Sequence, residues 1–154
     1  MTSDREIALR LASVAVPLMV EELDRLIESA CVGLPRSEAD QLSQAAARSR
    51  AATLDLGRLL VGATTRAEVE NADGVDGCTA PRMDKERATL VVRDLDALIR
   101  SIDHEIFQPL KRGPLGEDEL RQVARQVGEV WRWIIDDLQE PLWRQYPELG
   151  PSEG

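Results

Sequence analysis

Histidine, lysine, cysteine and aromatic residues are scarce in this chain, and it has no long apolar run; each shortage narrows what it can be. His104 is the only histidine. A di-iron helical bundle needs two Glu-x-x-His elements, so no metal is expected. No glycine-rich phosphate cradle, nucleophile elbow or oxyanion loop is visible, so no cofactor is expected and Ser-His-Asp chemistry finds no support. The two cysteines, Cys31 and Cys78, lack the paired spacing of a zinc site. A reducing compartment, with Cys31 buried on a helix and Cys78 free in a loop, suits them better than a disulfide. No window approaches about 18 uncharged apolar residues, so no membrane span is expected. The first residues, Met1 to Glu6, lack the basic and apolar stretches of a signal peptide. The expected location is cytoplasmic. Lysine occurs only at Lys85 and Lys111 against many arginines, a bias that suits a GC-rich bacterial genome and carries no mechanism.

Aromatic residues make up only 3% of the chain, while 43% is hydrophobic. The core must therefore be built from Leu, Ile, Val and Ala, a palette that leans toward helix. Basic residues are also outweighed, and the formal net charge is −9. An acidic surface repels phosphate backbones and anionic membranes, so neither nucleic acid nor membrane is an expected partner. The nearest basic patch, Arg48, Arg50, Arg58 and Arg66, is offset by Glu38, Asp40 and Asp55 and reads as a solvated helix face.

What remains is helical periodicity. A first helix is expected over 3–32, its core stripe Ile7, Leu11, Val14 and Leu18 continuing through Met19, Leu23, Leu26 and Ala30. Pro17 should kink it and Gly33-Leu34-Pro35 should end it. A second helix, 37–62, starts at a Ser37 cap and carries Leu42, Ala46, Ser49, Thr53, Leu56 and Leu60 on one face, with Gly62 at its end. Residues 63–83 are rich in turn formers and read as a flexible linker. Their acidic residues (Asp73, Asp76) are wrongly spaced for a calcium loop. A third helix, 84–112, carries Ala88, Val91 or Val92, Leu95, Leu98 or Ile99, Ile102 and Ile106; Pro109 strains it. A fourth, 117–145, carries Leu120, Ala124, Val127, Trp131, Ile134 and Leu138; Pro141 should kink or end it. Residues 147–154 are expected to be a disordered tail. The fold class is therefore all-α: one domain, 1–146, an antiparallel four-helix bundle made of two long helical hairpins joined by a long loop. Leu42, Ala46 and Leu60 align with Leu120, Ala124 and Leu138, a hint of hairpin duplication. Pairing of hairpins between two chains is the alternative arrangement.

Three features bear on function. Adjacent carboxylates, Glu21-Glu22 and Asp136-Asp137, point in different directions on a helix and read as solvated faces. Trp133 falls on a polar face among Gln126, Glu129, Asp137 and Glu140, and Trp143 and Tyr146 follow the Pro141 break. Tryptophan is enriched where proteins meet, so these three are the candidate interface. They make a non-enzymatic, self-associating helical interaction or regulatory protein the leading expectation, its partner a second copy or another protein.

The third feature is His104, two residues from both Ile102 and Ile106 and hence on the outer face of its helix. The string His104-Glu105-Ile106-Phe107-Gln108-Pro109-Leu110 resembles the phosphoacceptor box of sensor histidine kinases. Trp133 to Leu138 looks like the end of that family's second helix. The resemblance spans residues 103–145. It implies a phosphotransfer hairpin with His104 as phosphoacceptor, Glu105 as its general base, and an aspartate-bearing receiver as partner. Phe107 stands where the family has a basic residue, Gln108 where it has Thr or Asn, and Gly113-Pro114 shortens the helix. With no ATP-binding domain in the chain, the alternative function is a kinase-less phosphotransfer module.

Overall fold

Helix-forming stretches of Leu, Ala and Arg become helices throughout. The computed structural model describes residues 4–62, 78–113 and 115–150, and no strand occurs among them. Helix α1 is Asp4–Cys31, α2 Arg36–Ala45 and α3 Ala47–Leu60. Helix α4 (Lys85–Ile102) passes through a π-helical turn (Asp103–Phe107) into α5 (Gln108–Arg112). Helix α6 (Glu117–Trp133) passes through a second π turn (Ile134–Gln139) into α7 (Glu140–Gln145), and a 3-10 turn, Pro147–Leu149, follows.

The helix ends follow local chemistry. Gly33 and Gly62 adopt φ of 81° and 80°, the left-handed conformation in which a helix ends without a Cβ penalty. Asp84 caps α4 by accepting the Arg87 N–H at 3.1 Å. Helix α2 departs from expectation. Pro35, not Ser37, occupies the N-cap with φ −54° and ψ 149°, and its carbonyl accepts the Ala39 N–H at 2.9 Å. The expected second helix is also broken at Ala46, where ψ relaxes to −7°. The Ser49 hydroxyl donates to the Ala46 carbonyl at 2.9 Å, a local bond that competes with the regular ladder.

None of the three prolines within these helical stretches ends its helix. Pro17 lies within the 28 residues of α1 and is exposed, so water can reach the Ser13 carbonyl left without a donor. Pro109 and Pro141 each follow a π turn. The wider turn moves the preceding carbonyl away from the proline ring, relieving the clash that would otherwise break the helix.

Helix α3 is the most enclosed element, packed against α1 on one side and α6 on the other. All six residues expected on the stripe of the second helix are buried, and so are Arg48, Ala51 and Asp55 on a second face. Close approach needs small residues. A Cβ on Gly57 would stand 3.0 Å from Val16 Cγ1. The expected stripe of α4 is buried from Ala88 to Ile106, and Leu110 extends it.

Two stripes differ from expectation. On α6, Val123 and Val130 are buried while Ala124 is exposed and Leu120 and Trp131 only half-buried. On α1 the first half of the expected core stripe faces out: Ile7, Leu11, Val14 and Leu18 are 44%, 69%, 63% and 54% exposed, whereas Met19, Leu23 and Ala30 of its continuation are buried. The buried face is Ala12, Ala15, Val16, Met19, Val20, Leu23, Ile27 and Ala30. At 100° per residue these faces lie roughly 140° apart. In the first half of α1 the face of Ala12, Ala15 and Val16 wins because its small side chains let α3 come close at Gly57, whereas the larger stripe would hold the helices apart.

The described end of the expected linker, residues 78–83, lies against the helices. Gln41 Nε2 donates to the Thr79 carbonyl at 2.9 Å, Gln145 Nε2 to the Pro81 carbonyl at 3.2 Å, and the Tyr146 hydroxyl to the Met83 carbonyl at 2.8 Å. Ala80, Pro81 and Met83 are buried. The expected tail likewise begins with structure. Leu149 packs on the core, and Glu148 pairs with Lys85 at 2.7 Å. Residues 63–77, with Arg66, Asp73 and Asp76, and 151–154 lie outside the described residues, as do 1–3 and Pro114.

Candidate functional site

The most elaborate polar arrangement centres on Asp137. The π turn carries this residue inward, to 2% exposure, while Asp136 stays exposed. This corrects the reading of the pair as a solvated face. Arg48, expected in a basic surface patch, is buried with it. Its Nε donates to Asp137 Oδ2 at 3.0 Å and its second terminal nitrogen to Oδ1 at 2.6 Å, a two-pronged ion pair tying α3 to the second π turn. The other described arginines of that patch are engaged too: Arg50 with Asp24 at 3.0 Å and Arg58 with buried Asp55 at 3.8 Å.

Asp137 also acts through its backbone. Residue 141 is proline and cannot donate to the Asp137 carbonyl four residues earlier. The carbonyl instead accepts the Ala80 N–H at 2.8 Å. One residue thus holds α3 by its side chain and the 78–83 strap by its main chain. Cys78, at the start of the strap, donates its thiol to the Gln41 carbonyl at 3.5 Å. Burial pushes this thiol up from its ordinary value and the Asp137 charge pushes it further, with Arg48 opposing. Both effects favour the neutral thiol over the thiolate. Cys31 is half-buried rather than buried; both cysteines are free.

The candidate interface residues sit close to this arrangement. Trp133 is half-buried, with the guanidinium carbons of Arg48 and Arg132 over its ring at 4.0 and 4.6 Å from the centroid. Stacked cations account within the chain for an aromatic ring on a polar face. Trp143 and Tyr146 are half-buried against the core, Tyr146 bound to the strap.

His104 and Glu105 are both exposed, on the first π turn. Asp103, beside them, accepts from Gln108 Nε2 at 3.2 Å. Among the described residues no cluster of His, Cys, Asp and Glu could hold a metal ion, and no helix is long and apolar enough to cross a membrane.

The feature that periodicity misassigned is the outward stripe of α1. Ile7, Leu11, Val14 and Leu18 follow one another at spacings of four, three and four, the repeat of a helix that packs along another helix. The signal was present in the sequence, since α1 carries two apolar faces; only packing decides which is covered. Asp137 was legible only in part. It lies three residues from Ile134 and one from Leu138, at the edge of the buried stripe. Comparison with protein-family models, curated proteins and solved structures finds no match for this chain.

Proposed function

We propose that the chain is a non-enzymatic helical interaction module that self-associates through the outward stripe of α1. The observation that carries this reading is the exposure of four large apolar side chains at coiled-coil spacing on one helix. Exposed single residues are common; an ordered row is what a helix of a second copy would cover. The proposed scaffold is an antiparallel bundle of two hairpins. Pairings between neighbours support it, since they run in opposite directions: Asp24 with Arg50 at 3.0 Å and Val16 against Gly57 join α1 to α3. Arg48 with Asp137 and Ala52 with Gln126 (2.9 Å) join α3 to α6 and its continuation. Light scattering across a wide concentration range tests the self-association. The wild type is expected to dimerise, and Leu11→Glu with Val14→Glu to remain monomeric with unchanged helical circular dichroism. A monomeric wild type, or a variant that dimerises equally well, refutes the reading.

The exposure of His104 beside Glu105 favours a second reading, transfer of phosphate to the imidazole from an aspartate-bearing receiver. Incubation with a phosphorylated receiver and measurement of acid-labile phosphate on wild type and His104→Ala tests it. Absence of label on the wild type excludes it.

A further inference from the structure

A trough runs between α1 and α4. It consists of two depressions that share Leu26, Ser29 and Asp94. Leu18, Leu26, Leu90 and Val32 give it an apolar lining, and Val32 and Leu90 are 70% and 49% exposed. From Leu18 to Val32 it follows α1 for about 21 Å, the length of roughly fourteen helical residues.

Its rims are strongly acidic. Glu21, Glu22, Asp84, Glu86, Asp94 and Glu105 line it, against two cations, Arg25 and Arg87. Both cations are already engaged. Arg25 pairs with Glu21 at 3.9 Å and Glu22 at 3.6 Å. Arg87 pairs with Asp84 at 3.6 Å and donates to the Ala30 and Val32 carbonyls at the end of α1. Glu86, Asp94 and Glu105 form no ion pair among the described residues.

We infer that this trough is a docking site for a basic amphipathic helix of another protein. An apolar strip running along α1, flanked by carboxylates that no cation among the described residues pairs with, such as Glu86, Asp94 and Glu105, complements a helix with leucine-like residues on one face and lysine or arginine along its margins. The same charge repels nucleic acid and anionic lipid. The site meets the outward stripe of α1 at Leu18, which belongs to both, but Glu86 and Asp94 lie on α4, away from that stripe, and the inference does not rest on self-association.

The test is fluorescence anisotropy with a labelled peptide of roughly fourteen residues, helical, leucine on one face and lysine on the other. A second peptide carries glutamate in place of each lysine. The lysine peptide is expected to bind the wild type and the glutamate peptide not to bind. Glu86→Lys with Asp94→Lys should weaken binding by about tenfold or more. Glu117→Lys with Asp118→Lys, on the exposed first turn of α6, makes the same change in net charge and should weaken it far less. Circular dichroism checks that both variants stay folded. Equal weakening by the two variants would reduce the effect to net charge and overturn the inference, as would no binding to the wild type. Dimers that dissociate in the Glu86→Lys, Asp94→Lys variant while no peptide binds would assign the trough to a second copy, overturning it as well.

Discussion

At the scale of single residues, Asp137 is the position whose loss should be felt most. Removing one partner of a buried ion pair strands the other charge, typically at a cost of about 3–5 kcal/mol. Asp137→Ala should therefore lower stability by about that amount in urea unfolding, with Arg48 left buried. Arg48→Met combined with Asp137→Leu should recover most of the loss, because a buried pair exchanged for apolar groups of similar volume is often near neutral. A cost below about 1 kcal/mol for Asp137→Ala would show that the pair is hydrated and unimportant. Cys78 provides a second check. Its thiol is raised by burial and by the Asp137 charge. The unfolded thiol therefore ionises first as pH rises, so the stabilising contribution is complete below the ordinary thiol range and is lost as pH climbs through and above it. In a Cys31→Ala background, iodoacetamide should label native Cys78 more slowly than the unfolded chain and with a pH midpoint shifted upward. Equal rates would contradict the placement of Cys78 beside Asp137.

At the scale of helices, two glycines separate propensity from packing. Gly128 is exposed on α6, and a Cβ added there would have no neighbour within 4 Å. Gly128→Ala should stabilise the protein by about 0.5–1 kcal/mol, because alanine loses less backbone freedom on entering a helix. Gly57→Ala gains the same propensity but places its methyl 3.0 Å from Val16 Cγ1. Overpacking costs about 1–3 kcal/mol, so the net effect should be destabilising. Urea midpoints of the two variants should move in opposite directions. A stabilising Gly57→Ala would mean that α1 and α3 are not held in close approach. The same close approach explains why periodicity points to the wrong face of the first half of α1, from Ile7 to Leu18. It marks both faces as apolar, and hydrophobic size favours the Ile and Leu face. Geometry favours the small one. On α3, by contrast, the expected stripe, continued from Leu42 to Leu60, is buried throughout, while Leu54 and Leu59 off that stripe are only half-buried.

At the scale of the molecule, the acidic chain is tied at its surface by pairs that hold particular carboxyls low. Hydrogen bonding and charge from Arg5 lower Glu119, and Lys85 lowers Glu148 in the same way. The Arg87 N–H, bonded at the α4 cap, lowers Asp84. Folded carboxyls below their ordinary range contribute stability that is present above that range and lost as pH falls through and beneath it. The urea midpoint should therefore fall on acidification below the ordinary carboxylate range, and Glu119→Gln should flatten that fall. High salt should weaken these contributions at neutral pH, since all three groups are exposed. An acid limb unaffected by Glu119→Gln would remove the Arg5 pair from this account.

Composition and periodicity alone determined that the chain is helical, because few aromatics, many Ala and Leu residues and apolar spacings near 3.6 leave little else for the backbone to do. They also marked glycine stops at Gly33 and Gly62 and the start of a helix at Asp84, since these depend on neighbours in the chain. Tertiary structure decided which of two apolar faces of α1 is covered, that Pro109 and Pro141 are absorbed in π turns, and that Arg48 and Asp137 meet inside the protein although 89 residues separate them. Those outcomes depend on how closely helices distant in sequence can approach, and a one-dimensional period carries no measure of that distance.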